Sequence, residues 1–131
     1  MQKILGIFVL ATMLAVPVVA SAASQVPAGF IALSESPMNW ADAKAFCQQK
    51  GGKLPLIGGS TKRGDAPKGT SIKGFGTVDG SWPDDLPDET YWIGTEHSSR
   101  PGDSWFVFAL DGNVTAYNED KSAAYLVACV P

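Results

Sequence analysis

Two cysteines, Cys47 and Cys129, stand far apart in a chain of 131 residues and constrain its fold more than any other feature. They are the only two, so a bond between them leaves no choice of connectivity. It would close a loop of about 80 residues, and loop entropy alone sets its contribution at about 4–5 kcal/mol, an upper figure because strain reduces it. Whether it forms depends on the compartment, and the first residues bear on that. Lys3 supplies a positive start, residues 4–19 form an apolar run broken by Thr12 and Pro17, and Ala20-Ser21-Ala22 fits an A-x-A cleavage site. The run falls short of the roughly 18–20 apolar residues that a membrane span needs. The expected organisation is a signal peptide over 1–22 and one domain over 23–131, periplasmic or secreted. No membrane span is expected after cleavage. In an oxidising compartment a Cys47–Cys129 disulfide is the default. With no C-x-x-C and one histidine, a redox or metal role for the pair is disfavoured.

Composition excludes further classes. A hydrophobic content of 45% with 18% charge is wrong for a disordered chain. Ten basic against thirteen acidic residues give a net charge of −3, and loss of Lys3 with the leader makes it one unit more negative. That balance argues against nucleic acid as a partner. A single histidine removes every mechanism that needs two.

Along the chain, residues 30–33 read as a short strand. Asn39 caps a helix expected over 40–50, with Asp42 at the acidic capping-box position. Trp40, Ala43, Phe46 and Cys47 recur at helical spacing and form its apolar face, and Gly51 stops it. Residues 54–57 are apolar. From 58 to 89 the pattern dissolves into Gly, Ser, Thr, Pro and charge, with Ile72, Phe75, Val78, Trp82 and Leu86 as the only large apolar residues. A long loop is expected there, and loops of that length are functional or disordered. Its first half carries Lys62, Arg63, Lys68 and Lys73, its second half Asp79, Asp84, Asp85, Asp88 and Glu89. Strands are expected at 91–94, 104–110, 113–117 and 123–130. Residues 104–110 are apolar on both faces, which predicts a central strand buried on both sides. Asp111-Gly112 signals a hairpin.

Three stretches carry a resemblance. The run from Asn39 through Trp40, Ala41, Asp42, Ala43, Lys44, Ala45 and Phe46 to Cys47 is similar to the first helix of the C-type-lectin-like fold. Tyr91-Trp92-Ile93-Gly94 resembles its core strand motif, and Tyr125-Leu126-Val127-Ala128-Cys129-Val130 its last strand. Within that fold the chain resembles the C-terminal domain family of bacterial collagen-like adhesins. The resemblance implies an α+β domain: a mostly antiparallel sheet, one main N-terminal helix, a long loop, and the helix cysteine paired with that of the last strand. It implies a non-enzymatic, adhesin-like task, glycan or sulfated polysaccharide being the ligand class. The Glu-Pro-Asn, Gln-Pro-Asp and Trp-Asn-Asp tripeptides of calcium-dependent sugar binding do not occur, nor does a collagen-like repeat. Formylglycine-generating oxidases share the broad fold, but their chemistry needs cysteines that the structural pairing takes up here.

The expected contact surface is the 58–89 loop with the 96–103 turn. Lys62, Arg63, Lys68, Lys73 and Arg100 would meet sulfate or carboxylate, screened by salt. Trp82 either stacks on a sugar ring or anchors the loop. Arg63-Gly64-Asp65 has the form of an integrin ligand, a tripeptide that arises by chance. No catalytic, metal or cofactor set is expected, because His97 lacks a convergent nucleophile and acid and the acidic loop lacks calcium-loop spacing. The alternatives are a structural or inhibitory partner of another exported protein, and a small envelope hydrolase using His97.

Overall fold

A computed structural model describes residues 26–131, so the expected signal peptide lies outside the described residues. The protein is α+β, with one helix, antiparallel sheets and one disulfide. In order the elements are β1 (Ala32–Leu33), α1 (Trp40–Gln49), β2 (Ser71–Ile72), β3 (Gly76–Thr77), β4 (Thr90–Glu96), β5 (Asp103–Leu110), β6 (Asn113–Asp120) and β7 (Ala128–Cys129).

The helix forms where capping chemistry and apolar spacing agree. The Asn39 side chain accepts the Asp42 backbone N–H at 2.9 Å, which satisfies one of the free donors of the first turn. Trp40, Ala43 and Cys47 are buried along one face, with Phe46 half-buried beside them. At the other end Gly51 takes a φ of +84°, where a side chain would be strained. Cys47 is bonded to Cys129 of β7 across a Cα separation of 5.4 Å. Beside that bond the two ends of the domain pair. Ala32 faces Cys129, Leu33 faces Ala128, and Met38 bridges Tyr125.

The main sheet has the order β4-β5-β6, antiparallel throughout. Asp111 and Gly112 both adopt positive φ, 51° and 79°, as the predicted tight hairpin between β5 and β6 requires. One face of the sheet packs through Trp92 on Trp40, Ala43, Cys47 and Val127. The other packs through Tyr91, Val107 and Val114 on Ile72, Phe75, Val78, Trp82 and Leu86.

That second core shows how the long, irregular 58–89 segment is held. All five large apolar residues of 58–89 are buried, and they build one half of the hydrophobic interior. β2 and β3 pair with each other, Ile57 bridges Ile72, and Ser81 bridges Asn113. Trp82 is 7% exposed, its ring 5.4 Å from Phe75, and its Nε1–H donates to the Leu86 carbonyl at 2.9 Å. It is therefore the anchor of the segment, and its placement among the ligand contacts is corrected: its ring faces are covered by the core. β5 requires a second correction. It is central, but only Ser104 and Val107 are buried, while Phe106 and Phe108 are half-buried and Leu110 is 53% exposed. The expected last strand also shortens to β7, with Tyr125, Leu126 and Val130 joined to their neighbours by isolated bridges.

Two predictions follow from this core. Trp82→Ala empties the anchor of the 58–89 half and should lower stability by about 3–5 kcal/mol in urea unfolding, whereas Lys68→Ala should change it little. Tyr91 donates its hydroxyl to the Pro87 carbonyl at 3.1 Å. Burial first, then the charges of Glu89 and Asp88, push its phenol up from 10.0 to about 12. The folded state thus favours the neutral phenol. Its contribution is complete below pH 10 and is lost as pH rises through about 12. Unfolding midpoints measured across that range should fall for the native protein and fall less steeply for Tyr91→Phe.

Candidate functional site

A cleft of about 160 Å³ opens between α1, β4 and the segment just after the helix. Trp40, Lys44 and Gln48 line it from one stripe of α1, at i, i+4 and i+8. Lys53, Leu54, Leu56 and Thr61 line it from the following segment, and Gly94 and Glu96 from β4. Close approach of these pieces depends on Gly94. Its N–H donates to the Pro55 carbonyl at 2.8 Å, and a Cβ there would stand 2.9 Å from the Leu56 side chain and 3.1 Å from that of Leu54. Any larger residue would force the apolar floor away from the strand. β4 also loses its register with β5 between Trp92 and Glu96. Thr95 holds that irregular stretch, accepting the Ile57 N–H at 2.9 Å and donating to the Ser60 carbonyl at 3.0 Å.

Charge surrounds an aromatic wall. The Trp40 indole donates to the Ile93 carbonyl at 3.0 Å, which fixes the ring. Lys44 Nζ lies 4.7 Å and Lys121 Nζ 4.2 Å from its ring centre, within cation–π range. Lys121 also donates to Glu96 Oε1 at 2.6 Å and to the Pro101 carbonyl at 3.0 Å. The Lys121 hydrogen bond draws the Glu96 carboxyl below its ordinary value. Burial opposes this, and the charges of Lys121, Arg63 and Lys44 reinforce it. Glu96 is thus ionised and already partnered, and among the described residues Lys44 and Lys53 are the cleft's cations with no carboxylate partner, Lys44 lying over the Trp40 ring. A smaller hollow of about 70 Å³ adjoins it, sharing Lys53 and Leu56 and adding Lys73.

The basic residues expected from the sequence divide between two placements. Lys73 reaches this region through the second hollow, and Lys62 and Arg63 directly follow Thr61 of the cleft lining. Arg63 is near enough to Glu96 for its charge to be felt there. Lys68 instead occupies the exposed 67–70 turn, and Arg100 lies 4.0 Å from Asp103. The Arg63-Gly64-Asp65 tripeptide is pinned to the sheet. Gly64 forms a parallel bridge with His97, its N–H donates to the Glu96 carbonyl at 3.2 Å, and its carbonyl accepts the Trp105 indole N–H at 3.0 Å. His97 stacks on Trp105 with ring centres 5.0 Å apart, and its Nδ1 accepts the Ser99 backbone N–H at 3.2 Å.

Sequence reading missed Lys44, Lys53, Glu96 and Lys121 as a group. The spacing of Trp40, Lys44 and Gln48 on one helical stripe was the available signal. The remaining members come from three other segments, and nothing local in the sequence joins them. Comparison with protein-family models, with curated proteins and with solved structures finds no match to this chain. No helix among the described residues is long and apolar enough to cross a membrane.

Proposed function

We propose that this chain is an exported, lectin-like recognition module that holds an acidic glycan by charge and shape, without catalysis. The observation that carries this reading is the pair of adjoining hollows joined by Lys53 and Leu56, with Lys44 in the first and Lys73 in the second. A cavity of about 150 Å³ admits a bare six-membered ring, so the larger hollow, of about 160 Å³ and open to solvent, would seat one sugar ring with its outer substituents in water. Leu54, Leu56 and Gly94 offer an apolar floor, and Gln48 and Thr61 offer polar groups for hydroxyls. Lys44, Lys53 and Lys73 then meet sulfate or carboxylate groups, with Lys62 and Arg63 beyond the rim. The acidic net charge of the whole chain confines polyanion binding to this local patch.

The ligand class and the adhesin-like role rest on the resemblance of the helix, core-strand and last-strand residues to the domain of collagen-like adhesins, and export rests on the sequence of the first residues. Both agree with an α+β domain closed by a disulfide.

The purified protein should bind an immobilised sulfated polysaccharide in preference to its desulfated counterpart, and binding should weaken as salt rises. Lys44→Ala with Lys53→Ala should lower affinity at least tenfold at low salt, Lys73→Ala several-fold, and Lys68→Ala hardly at all. A chelator should make no difference. Equal binding of the desulfated chain, or a Lys44→Ala/Lys53→Ala protein that binds like the native one, contradicts the reading.

A further inference from the structure

We infer that the outer edge of β6 is a docking edge for an extended polypeptide segment with basic ends and an apolar centre, which pairs as an added strand. In the order β4-β5-β6, β6 is the outermost strand of the main sheet. Val114 turns its N–H and C=O outward, bonding the Gly80 carbonyl and the Asp79 N–H, both at 2.7 Å. The register of β6 with β5 is unbroken from Asn113 to Asp120. Strand alternation therefore aims the same two groups of Ala116 and of Asn118 at the same edge. Among the described residues no segment pairs with them, since the 79–82 stretch covers only the start of β6. Natural edges are protected by bulges, proline or lysine. The stretch Thr115-Ala116-Tyr117-Asn118-Glu119 has none of these.

Side chains extend the same surface. Tyr117 is 54% exposed and lies on the face that carries Phe106 and Phe108, its ring 5.8 Å from that of Phe108 and nearly parallel to it. An apolar residue at the centre of an added strand would lie against this ring, as cross-strand neighbours do. Charge selects the occupant. Glu119 and Asp120 stand at one end of the open edge and Asp79 at the other, and no lysine or arginine occurs from 109 to 120. Asp120 accepts the Ser122 N–H at 2.8 Å and its hydroxyl at 2.6 Å, which holds the carboxylate in its ionised form. A second copy pairing antiparallel about Tyr117 would bring Glu119 and Asp120 toward the other copy's Asp79. A segment with Lys or Arg flanking a β-branched or aromatic centre meets attraction at both ends. This surface is built from residues outside the cleft, and the inference does not depend on the glycan reading.

The test uses a blocked synthetic peptide, Lys-Lys-Val-Thr-Val-Lys-Lys, titrated into the full chain at low salt and followed by calorimetry. Two controls accompany it: the same peptide with Glu for Lys, and one N-methylated at alternate residues so that it cannot pair. The native protein should bind the basic peptide at least tenfold more tightly than either control. Ala116→Pro removes an outward N–H that has no partner among the described residues and should weaken binding at least tenfold. Glu119→Lys gives up the bonds that the exposed carboxylate accepts from the Asp120 N–H at 2.9 Å and the Tyr125 hydroxyl at 3.5 Å but keeps the β5–β6 ladder; it should weaken binding several-fold and serves if the proline variant does not fold. Binding of the sulfated polysaccharide should be unchanged in Glu119→Lys, which separates failure here from failure of the cleft reading. Absence of peptide binding, equal binding of either control, or full binding by Glu119→Lys overturns the inference. So does a concentration-dependent dimer in sedimentation that Ala116→Pro or Glu119→Lys abolishes, since a second copy would then occupy the edge.

Discussion

The bond between Cys47 and Cys129 is the constraint on which the rest depends. It fastens the last turns of α1 to β7, and β7 in turn pairs with β1, so both ends of the domain meet at one place. Its two sulfurs lie in the core cluster that holds Trp40, Trp92 and Val127, where the helix meets the main sheet. The crosslink spans 82 positions of chain, so the unfolded state loses much of its freedom. Beside it, Trp40 and Ala43 pack on Trp92 and the Trp40 indole donates to the Ile93 carbonyl, which fixes α1 against β4 and with it the separation between Lys44 on the helix and Glu96 on the strand. The cleft is a consequence of that spacing, with Gly94 allowing the 54–57 segment to close its floor.

The second half of the interior is built differently. Residues 58–89 have almost no regular structure, yet their five large apolar side chains supply most of the packing on the far face of the sheet. Phe75 lies at the middle, within 5.2 to 5.5 Å of the rings of Phe30, Trp82 and Tyr91. Isolated bridges and turn hydrogen bonds satisfy the backbone instead of long ladders. Such a segment is held by its anchors, so its charged residues are carried on a fixed frame, which suits recognition by geometry.

Much of this was legible in the sequence where local rules act alone. The Asn39 cap, the helix stop at Gly51, the Asp111-Gly112 hairpin and the cysteine pairing all follow from short-range chemistry or from the absence of alternatives. Two features were hidden. The apolar residues of 58–89 have no period, because a segment without regular structure imposes none, and so their packing into a core was not legible. The apolar faces of residues 104–110 suggested burial on both sides, but Phe106, Phe108 and Leu110 instead face a surface that the helix covers only in part. Of the expected ligand residues, Lys62, Arg63 and Lys73 stand near the cleft, while Trp82 went to the core. Lys44 shared a helical stripe with Trp40 and Gln48, but Lys53 and Lys121 had no local signature, since their convergence exists only once the helix has packed on β4 and Gly94 has admitted the 54–57 segment.

On the proposed function, the cleft beside Trp40 receives an acidic sugar residue. The most direct measurement is a residue-resolved magnetic resonance titration of the native protein with a short sulfated oligosaccharide. The Trp40 indole N–H, fixed on the Ile93 carbonyl, is a single well-placed reporter. The account predicts saturable shifts at that N–H and at the backbone of Lys44, Thr61 and Gly94, with β6 unmoved. Shifts confined to the 67–70 turn or to the acidic stretch around Asp84, Asp85 and Asp88, with the Trp40 signal unchanged, would contradict it.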